Sequence, residues 1–419
     1  STYIIDFSCH WDNRILSSEQ LFVKAIKRVT LWEGRKNFPI ANAGAAHLPL
    51  LLVALTILLW MLHDVSPALR FGLAPLAILI FSDVAYVSSL NSFYMDTATM
   101  IFLLLCAVLA AAWVLRPRTW LPIAFAAAAI LLAFSKTQHV PLAFLLAALA
   151  VWFAMQTFHR QDRRSRPAWW WTVAAASIIL SSVVAIRNAP PLVHADPVFN
   201  LIYFRFLPES PQPLAILKQL DLPESSRAYS GVNAYNAQSP MADSSFREDF
   251  ARRTSFLRIA VLYARNPSLL LRQFELGLHD AAEIRPAYLA NYRREDGFPP
   301  TSLAHRFDIW SSLRSRLLRI FPLQLVIFYA LMGFGSLGCL VFRRWAAQWP
   351  AYPLVMLLAA GGAIEFLLGV AFDVLETPRH LFIFHVLTEI LILCGAAALL
   401  TLVQGESAPT ATVKQRSGI

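Results

Sequence analysis

Three short polar stretches hold the side chains best suited to chemistry. The first is Asn91-Ser92-Phe93-Tyr94-Met95-Asp96-Thr97, with one carboxylate and two aromatics between two long apolar runs. The second is Ser135-Lys136-Thr137-Gln138-His139, directly after another apolar run. The third is Asp373-Val374-Leu375-Glu376-Thr377-Pro378-Arg379-His380, directly before the last one. Together they offer a carboxylate base at Asp96, cations at Lys136 and Arg379 and an amide at Gln138, with His139, Glu376 and His380 beside them. Such a set at one membrane face suits a lipid-phosphate substrate. The cations would hold a phosphate. The carboxylate would take a proton from an acceptor hydroxyl as it attacks a sugar carbon.

Each residue also has a plainer reading. Asp96 fits a helix cap. Lys136 fits a snorkelling anchor, and Arg379 a partner for Asp373 or Glu376. His139 and His380 fit hydrogen-bonded scaffold. Glu365 and Glu389 differ, because they lie inside apolar runs. Carboxylates there are costly and face a cavity or a partner, so they would line a lipid groove or form a transporter's proton relay.

The elements that must position these groups are membrane helices. Of the 419 residues, 57% are hydrophobic and 15% charged, and the mean hydropathy is +0.52. These are values of a polytopic membrane protein. The net charge of +10 would suit nucleic acid, but the basic residues lie mostly in short loops beside apolar runs. That pattern is a topology signal, and no nucleic-acid partner is expected. Cys106, Cys339 and Cys394 fall within apolar runs and Cys9 stands alone, so no disulfide framework or zinc spacing is present.

Apolar length places spans near His47–Leu62, Phe71–Leu90, Ala98–Leu115, Trp120–Phe134, Val140–Gln156, Trp169–Ile186, Leu323–Phe342, Tyr352–Val370 and Leu381–Val403. Two of these are short, which leaves room for a join or a re-entrant segment. The fold expected is an all-α membrane protein: a bundle of about nine spans, with one mainly helical extracytoplasmic domain between the sixth and seventh. In residues this gives an interfacial segment 1–46, a bundle 47–186, an outer domain 187–322, a second bundle part 323–403 and a cytoplasmic tail 404–419.

The loops alternate in charge. One set holds Arg70, Arg116, Arg118, Arg160, Arg163, Arg164, Arg166, Arg343 and Arg344, with Lys414 and Arg416 in the tail. The other set holds the three chemical stretches, with only Lys136 and Arg379. Basic loops mark the cytoplasmic side, so the three stretches are expected outside. Segment 1–46 carries six Lys or Arg, at odds with an outer position. A further span upstream of Ser1 would resolve this, giving ten spans with both ends in the cytoplasm.

Within 1–46, Glu19–Trp32 places Leu21, Phe22, Ala25, Ile26 and Val29 on one helical face opposite Lys24, Lys27 and Arg28, with Ser17 or Ser18 as cap. This reads as an amphipathic helix in the membrane interface. The long loop 187–322 escapes the charge rule. It shows helical spacing over Phe246–Tyr263 and Pro267–His279, with Asn266 as cap before Pro267.

The chain resembles the bacterial glycan-biosynthesis hexose transferases of the WsfD type, within the GT-C class of integral membrane glycosyltransferases. The resemblance rests on Asn91-Ser92-Phe93-Tyr94 with its acid at Asp96, on Ser135-Lys136-Thr137-Gln138-His139 and on Glu376-Thr377-Pro378-Arg379-His380. It also rests on Asp196-Pro197-Val198-Phe199-Asn200, Leu220-Asp221-Leu222-Pro223 with Gly231, and Tyr263-Ala264-Arg265-Asn266-Pro267. It implies an inverting hexosyltransferase in a bacterial inner membrane, with its active site outside. Donor and acceptor would be a polyprenyl-phosphate sugar and a cell-envelope glycan or lipid-linked glycan, and the bilayer itself would be a partner. Asp96 would be catalytic, and Tyr94, Lys136, Gln138, His139, Glu376, Arg379 and His380 would bind substrate. The chain departs from the family's pattern in having Asp96 then Thr97 where that family has Glu then Pro. It also lacks the family's first outer loop with an Asp, which would lie upstream of Ser1 and carry the main acid. Asp96 would then be a second acid, positioning the acceptor or a divalent ion. The resemblance implies no fixed cofactor and leaves Mg or Mn open. The contrasting function is a transporter or flippase of a lipid-linked sugar, which predicts repeated halves and broken helices. A non-catalytic assembly or anchoring protein predicts that the three polar stretches do not converge.

Overall fold

The structure is a computed structural model that describes residues 2–4, 16–63, 65–160, 166–190, 192–292, 294–342 and 351–404. Cys9, Arg163, Arg164, Arg343, Arg344, Lys414 and Arg416 lie outside the described residues, as does the tail beyond 404.

A short antiparallel pair, β1 (Thr2–Ile4) with β2 (Asn37–Pro39), flanks helix α1 (Glu19–Trp32). Then follow α2 (Ala41–Met61), α3 (Pro67–Phe81), α4 (Val84–Leu90), α5 (Met95–Leu115), α6 (Leu121–Ala133), α7 (Val140–Arg160) and α8 (Arg166–Arg187). Next come α9 (Ala195–Phe199), a π-helical stretch over Asn200–Phe206, α10 (Leu207–Glu209) and α11 (Pro213–Gln219). The remaining elements of that long segment are α12 (Ser244–Arg253), α13 (Phe256–Arg265), α14 (Pro267–Asp280) and α15 (Ile309–Ile320). The chain ends with α16 (Gln324–Val341), α17 (Tyr352–Ala371), α18 (Thr377–His380) and α19 (Phe382–Val403). The protein is an almost entirely helical, multi-pass membrane protein.

Among the described residues seven helices are long and apolar enough to cross a bilayer, and the bent pair α3–α4 counts as an eighth if it is one span. The shorter α6 is also apolar. One core joins residues of α2 to α8 with α17 and α19. The outward faces remain apolar, as at Ile327, Leu331, Phe334 and Val341 of α16, which is the belt that lipid covers. Small residues let spans approach closely. A Cβ on Gly362 of α17 would fall inside the Tyr329 ring of α16.

The second expected span, Phe71–Leu90, is not one helix. It breaks after Phe81 and turns by 58° into α4. Asp83 causes the break: its Oδ1 accepts from Ala85 N at 2.9 Å and caps α4. Its Oδ2 accepts from Ser311 N at 2.9 Å. Val84 N donates to Phe307 O at 3.0 Å. The start of α15 therefore fills the kink and satisfies backbone groups that hydrocarbon could not.

Behind the kink lies a buried polar cluster. Arg314 Nε of α15 is 3.5 Å from Glu389 Oε1 of α19. Tyr86 OH donates to the same oxygen at 2.8 Å, and Arg314 Nη2 donates to His385 Nδ1 at 2.9 Å. The intramembrane Glu389 thus has a cation and a phenol as partners.

Two further differences have local causes. The helix expected over Phe246–Tyr263 is two helices, because Ser255 accepts from Arg258 N and starts α13 afresh. The first span starts at Ala41 rather than His47, and it runs through Pro49. α1 has the expected bounds, but only Phe22 and Ile26 of its expected apolar face are buried. Leu21 and Val29 are exposed. Asn266 holds the cap position before Pro267, but its side chain bonds Gln219 and Leu262 O instead of capping α14.

The long segment has its own core, built on Phe199, Tyr203, Phe206, Leu217, Phe250 and Leu262, which also takes in Ala371 and Val374. Besides the contacts of α15, Tyr263 and Gly277 dock it on the bundle. Tyr263 OH donates to Ala371 O at 2.7 Å, and Gly277 of α14 packs against Val370 of α17.

Candidate functional site

The three polar stretches meet at one end of the bundle. Asp96 stands in the first turn of α5, after Tyr94 in the cap position. Its side chain does not cap that helix. Asp96 Oδ1 accepts from Lys136 Nζ at 3.0 Å and is 3.2 Å from His139 Nε2. Among the described residues no group bonds Oδ2. The side chain is 8% exposed, so Asp96 lies just beneath the surface of the bundle end.

Local sequence fixes this geometry. Ser92 Oγ and Thr97 Oγ1 both donate to Ser89 O, at 2.6 and 2.9 Å, which pins the turn before α5. Ser135 Oγ donates to Leu132 O at 2.6 Å and accepts from Thr99 Oγ1 at 2.7 Å, tying the end of α6 to α5. Lys136 is extended, and a 3-10 turn over Thr137–His139 leads into α7. This carries Lys136 and His139 to one side of Asp96. His139 is fully buried, and its Nδ1 is 2.8 Å from Glu365 Oε2 of α17. Among the described residues Gln138 Nε2, a buried donor, has no hydrogen-bond partner.

The last stretch closes the site from the other side. Glu376 caps α18 with a left-handed backbone, φ 56°, uncommon for a residue with a side chain. Its Oε2 pairs with Arg379 Nη1 at 2.5 Å. The guanidinium lies 5.1 Å from the centre of the Tyr94 ring, within cation–π range. Burial works against the Arg379 charge, but Glu376, Tyr288 and Asp96 outweigh it and hold its pKa above the ordinary value. His380 Nε2 is 2.9 Å from Asp373 Oδ2. From the long segment, the Tyr288 ring sits 6.3 Å from that of Tyr94. Burial pushes the Tyr288 phenol well above its usual range, so it stays a donor.

Sequence reasoning passed over a buried pair, Glu19 and His47, of which Glu19 faces Asp96. α1 is wedged against the end of α6 by Ser18 N to Phe134 O at 2.9 Å and Ser17 Oγ to Ser135 O at 2.7 Å. This buries Glu19 against His47 of α2, with Nε2 to Oε1 at 3.1 Å. His47 Nδ1 is 3.0 Å from Leu90 O. Burial raises the Glu19 pKa, His47 offsets part of that rise, and Asp96 adds to it. An acid at a helix start ordinarily serves the helix dipole, so nothing in the spacing marked Glu19.

All eight site residues expected from sequence, Tyr94, Asp96, Lys136, Gln138, His139, Glu376, Arg379 and His380, lie in these three stretches. Asp96, Lys136 and His139 touch directly, whereas Arg379 and Glu376 pair with each other and reach the group through Tyr94. Among the described residues no three His, Cys, Asp or Glu side chains are grouped to hold a metal ion. The arrangement can hold an anion near Arg379 and accept a proton at Asp96.

No curated protein and no solved structure matches the chain. A family model does match, over residues 2–414, nearly the whole sequence, and the chain belongs to the family described as the YfdI N-terminal transmembrane domain.

Proposed function

We propose that this protein is an inverting membrane glycosyltransferase of the GT-C kind. It moves a hexose from a polyprenyl-phosphate donor to a cell-envelope glycan or lipid-linked acceptor, on the extracytoplasmic face of a bacterial inner membrane. Membership in the YfdI family supports a membrane protein that handles glycosyl groups; the donor, acceptor and face are the finer reading. One observation carries it: Lys136 and His139 both meet one oxygen of Asp96, and among the described residues no group bonds the other, just below the surface.

In this reading the acceptor hydroxyl gives its proton to Asp96 Oδ2 as its oxygen bonds to the sugar C1. The C1–O bond to the phosphate breaks on the opposite face, and the phosphate leaves with the electron pair. Arg379 and Lys136 offset the charge it gains. Tyr94 and Gln138 line the path, and Tyr288 stands across it from the long segment.

A transporter also predicts a broken span. Here both Asp83 oxygens accept from protein backbone, so the break is held by contacts within the chain.

The test is Asp96→Asn, assayed for transfer from a short-chain polyprenyl-phosphate hexose. A general base contributes about 10²–10⁴-fold, so transfer should fall by that order while expression and monodispersity hold. Full activity in Asp96→Asn would end this reading.

A further inference from the structure

His139 is the one imidazole at the site with a carboxylate on each ring nitrogen. Nδ1 meets Glu365 Oε2 at 2.8 Å, Nε2 meets Asp96 Oδ1 at 3.2 Å, and the ring is fully buried. An ionised carboxylate only accepts hydrogen bonds. A neutral imidazole between two ionised carboxylates would turn a lone pair toward one of them, so a second proton must lie on the three groups. If His139 holds both protons, the buried set of Asp96, Glu365, Lys136 and His139 carries two negative and two positive charges. Buried charges persist when matched in this way. Among the described residues Glu365 Oε1 has no hydrogen-bond partner, and Oε2 meets His139.

We propose that Glu365 is a positioning residue: it keeps His139 an imidazolium and thereby keeps Asp96 ionised, with Oδ2 facing the bundle end. This rests on the reading of Asp96 as the base, but its central claim concerns a proton on His139 and does not need turnover. Glu365 lies on α17 and never touches substrate. Other charged groups face Asp96 and His139 from every side: Lys136 before α7, Glu19 of α1, and Arg379 and His380 of the last polar stretch. His47 of α2 faces Glu19. None of them bonds His139 Nδ1, so Glu365 alone sets that nitrogen's proton.

The experiment is ¹⁵N-histidine NMR on the full chain in detergent micelles, with His139→Gln identifying the His139 signals. Near neutral pH the wild type should show both His139 nitrogens protonated. Glu365→Gln keeps an acceptor for Nδ1–H but removes the charge, and should show one nitrogen unprotonated at the same pH. In the transfer assay, the acid limb of Glu365→Gln should move up by about one pH unit, the effect of removing a neighbouring cation from a carboxylate. A neutral His139 in the wild type overturns the proposal, and needs no Glu365 variant. So does an imidazolium that survives in Glu365→Gln. If instead Asp96→Asn remains active, the catalytic reading fails while the NMR result stands.

Discussion

Arg379 stacks its guanidinium on Tyr94, 5.1 Å from the ring centre, while Glu376 holds its Nη1. Lys136 ends instead on Asp96. The two cations are therefore held differently and should answer differently to exchange.

Arg379→Lys keeps the charge but loses the planar fork and most of the stacking. The expected loss is about 1–2 kcal/mol, close to tenfold in the donor KM. Lys136→Arg keeps a cation beside Asp96 and should change the donor KM far less. The measurement is initial rate against donor concentration for both variants. An unchanged donor dependence in Arg379→Lys would leave Arg379 only as the partner of Glu376.

The Arg314–Glu389 pair should behave as a buried ion pair. Removing one partner strands the other, so Arg314→Met or Glu389→Leu alone should cost about 3–5 kcal/mol. The double variant should recover most of that loss. Thermal unfolding in detergent across the double-mutant cycle tests this. Additive losses would mean that the pair is not coupled.

Glu19 makes stability depend on pH with a definite sign. Burial, partly offset by His47, raises its folded pKa above the unfolded value near 4.5. The folded chain therefore binds this proton more tightly than the unfolded chain. The stability it adds is full below the unfolded pKa and is lost as pH climbs through the folded one. Glu19→Gln keeps a hydrogen bond to His47 and removes the titration. The wild-type Tm, measured relative to Glu19→Gln, should fall as pH rises from mildly acidic to neutral. A flat difference would show that Glu19 keeps its ordinary pKa.

Gly277 sets how closely the long segment seats on the bundle. A Cβ there would fall inside the side chain of Val370. Gly277→Ala should cost about 1–3 kcal/mol by overpacking. Trimming the partner, in Gly277→Ala with Val370→Ala, should restore part of it. Tm values of the single and double variants decide the point.

Much of this architecture is legible in the chain because spans announce themselves by apolar length. All nine apolar runs are helical, and α1 has the expected bounds. The kink at Asp83 was hidden because one carboxylate in a twenty-residue apolar run barely lowers its hydropathy. What makes it tolerable, the start of α15, lies far along the chain. Asp96, Lys136 and His139 could be picked out because they sit in short polar gaps between apolar runs. Glu19 and His47 could not, since each fits an ordinary local role and only tertiary packing makes them a pair. Glu365 drew attention as a carboxylate inside a span, but its link to His139 crosses 226 residues.

The plug at the kink also bears on how the protein is made. Asp83 and Ser311 are 228 residues apart. At about 5–20 residues per second, Ser311 emerges roughly 10–50 s after Asp83. For that interval α3 and α4 sit in or beside the membrane without the backbone groups that close their bend. The second span thus reaches its final shape only after α15 has been synthesised and has come back across the bundle. A chain truncated before Phe307 would leave Asp83 Oδ2 and the Val84 amide without these partners.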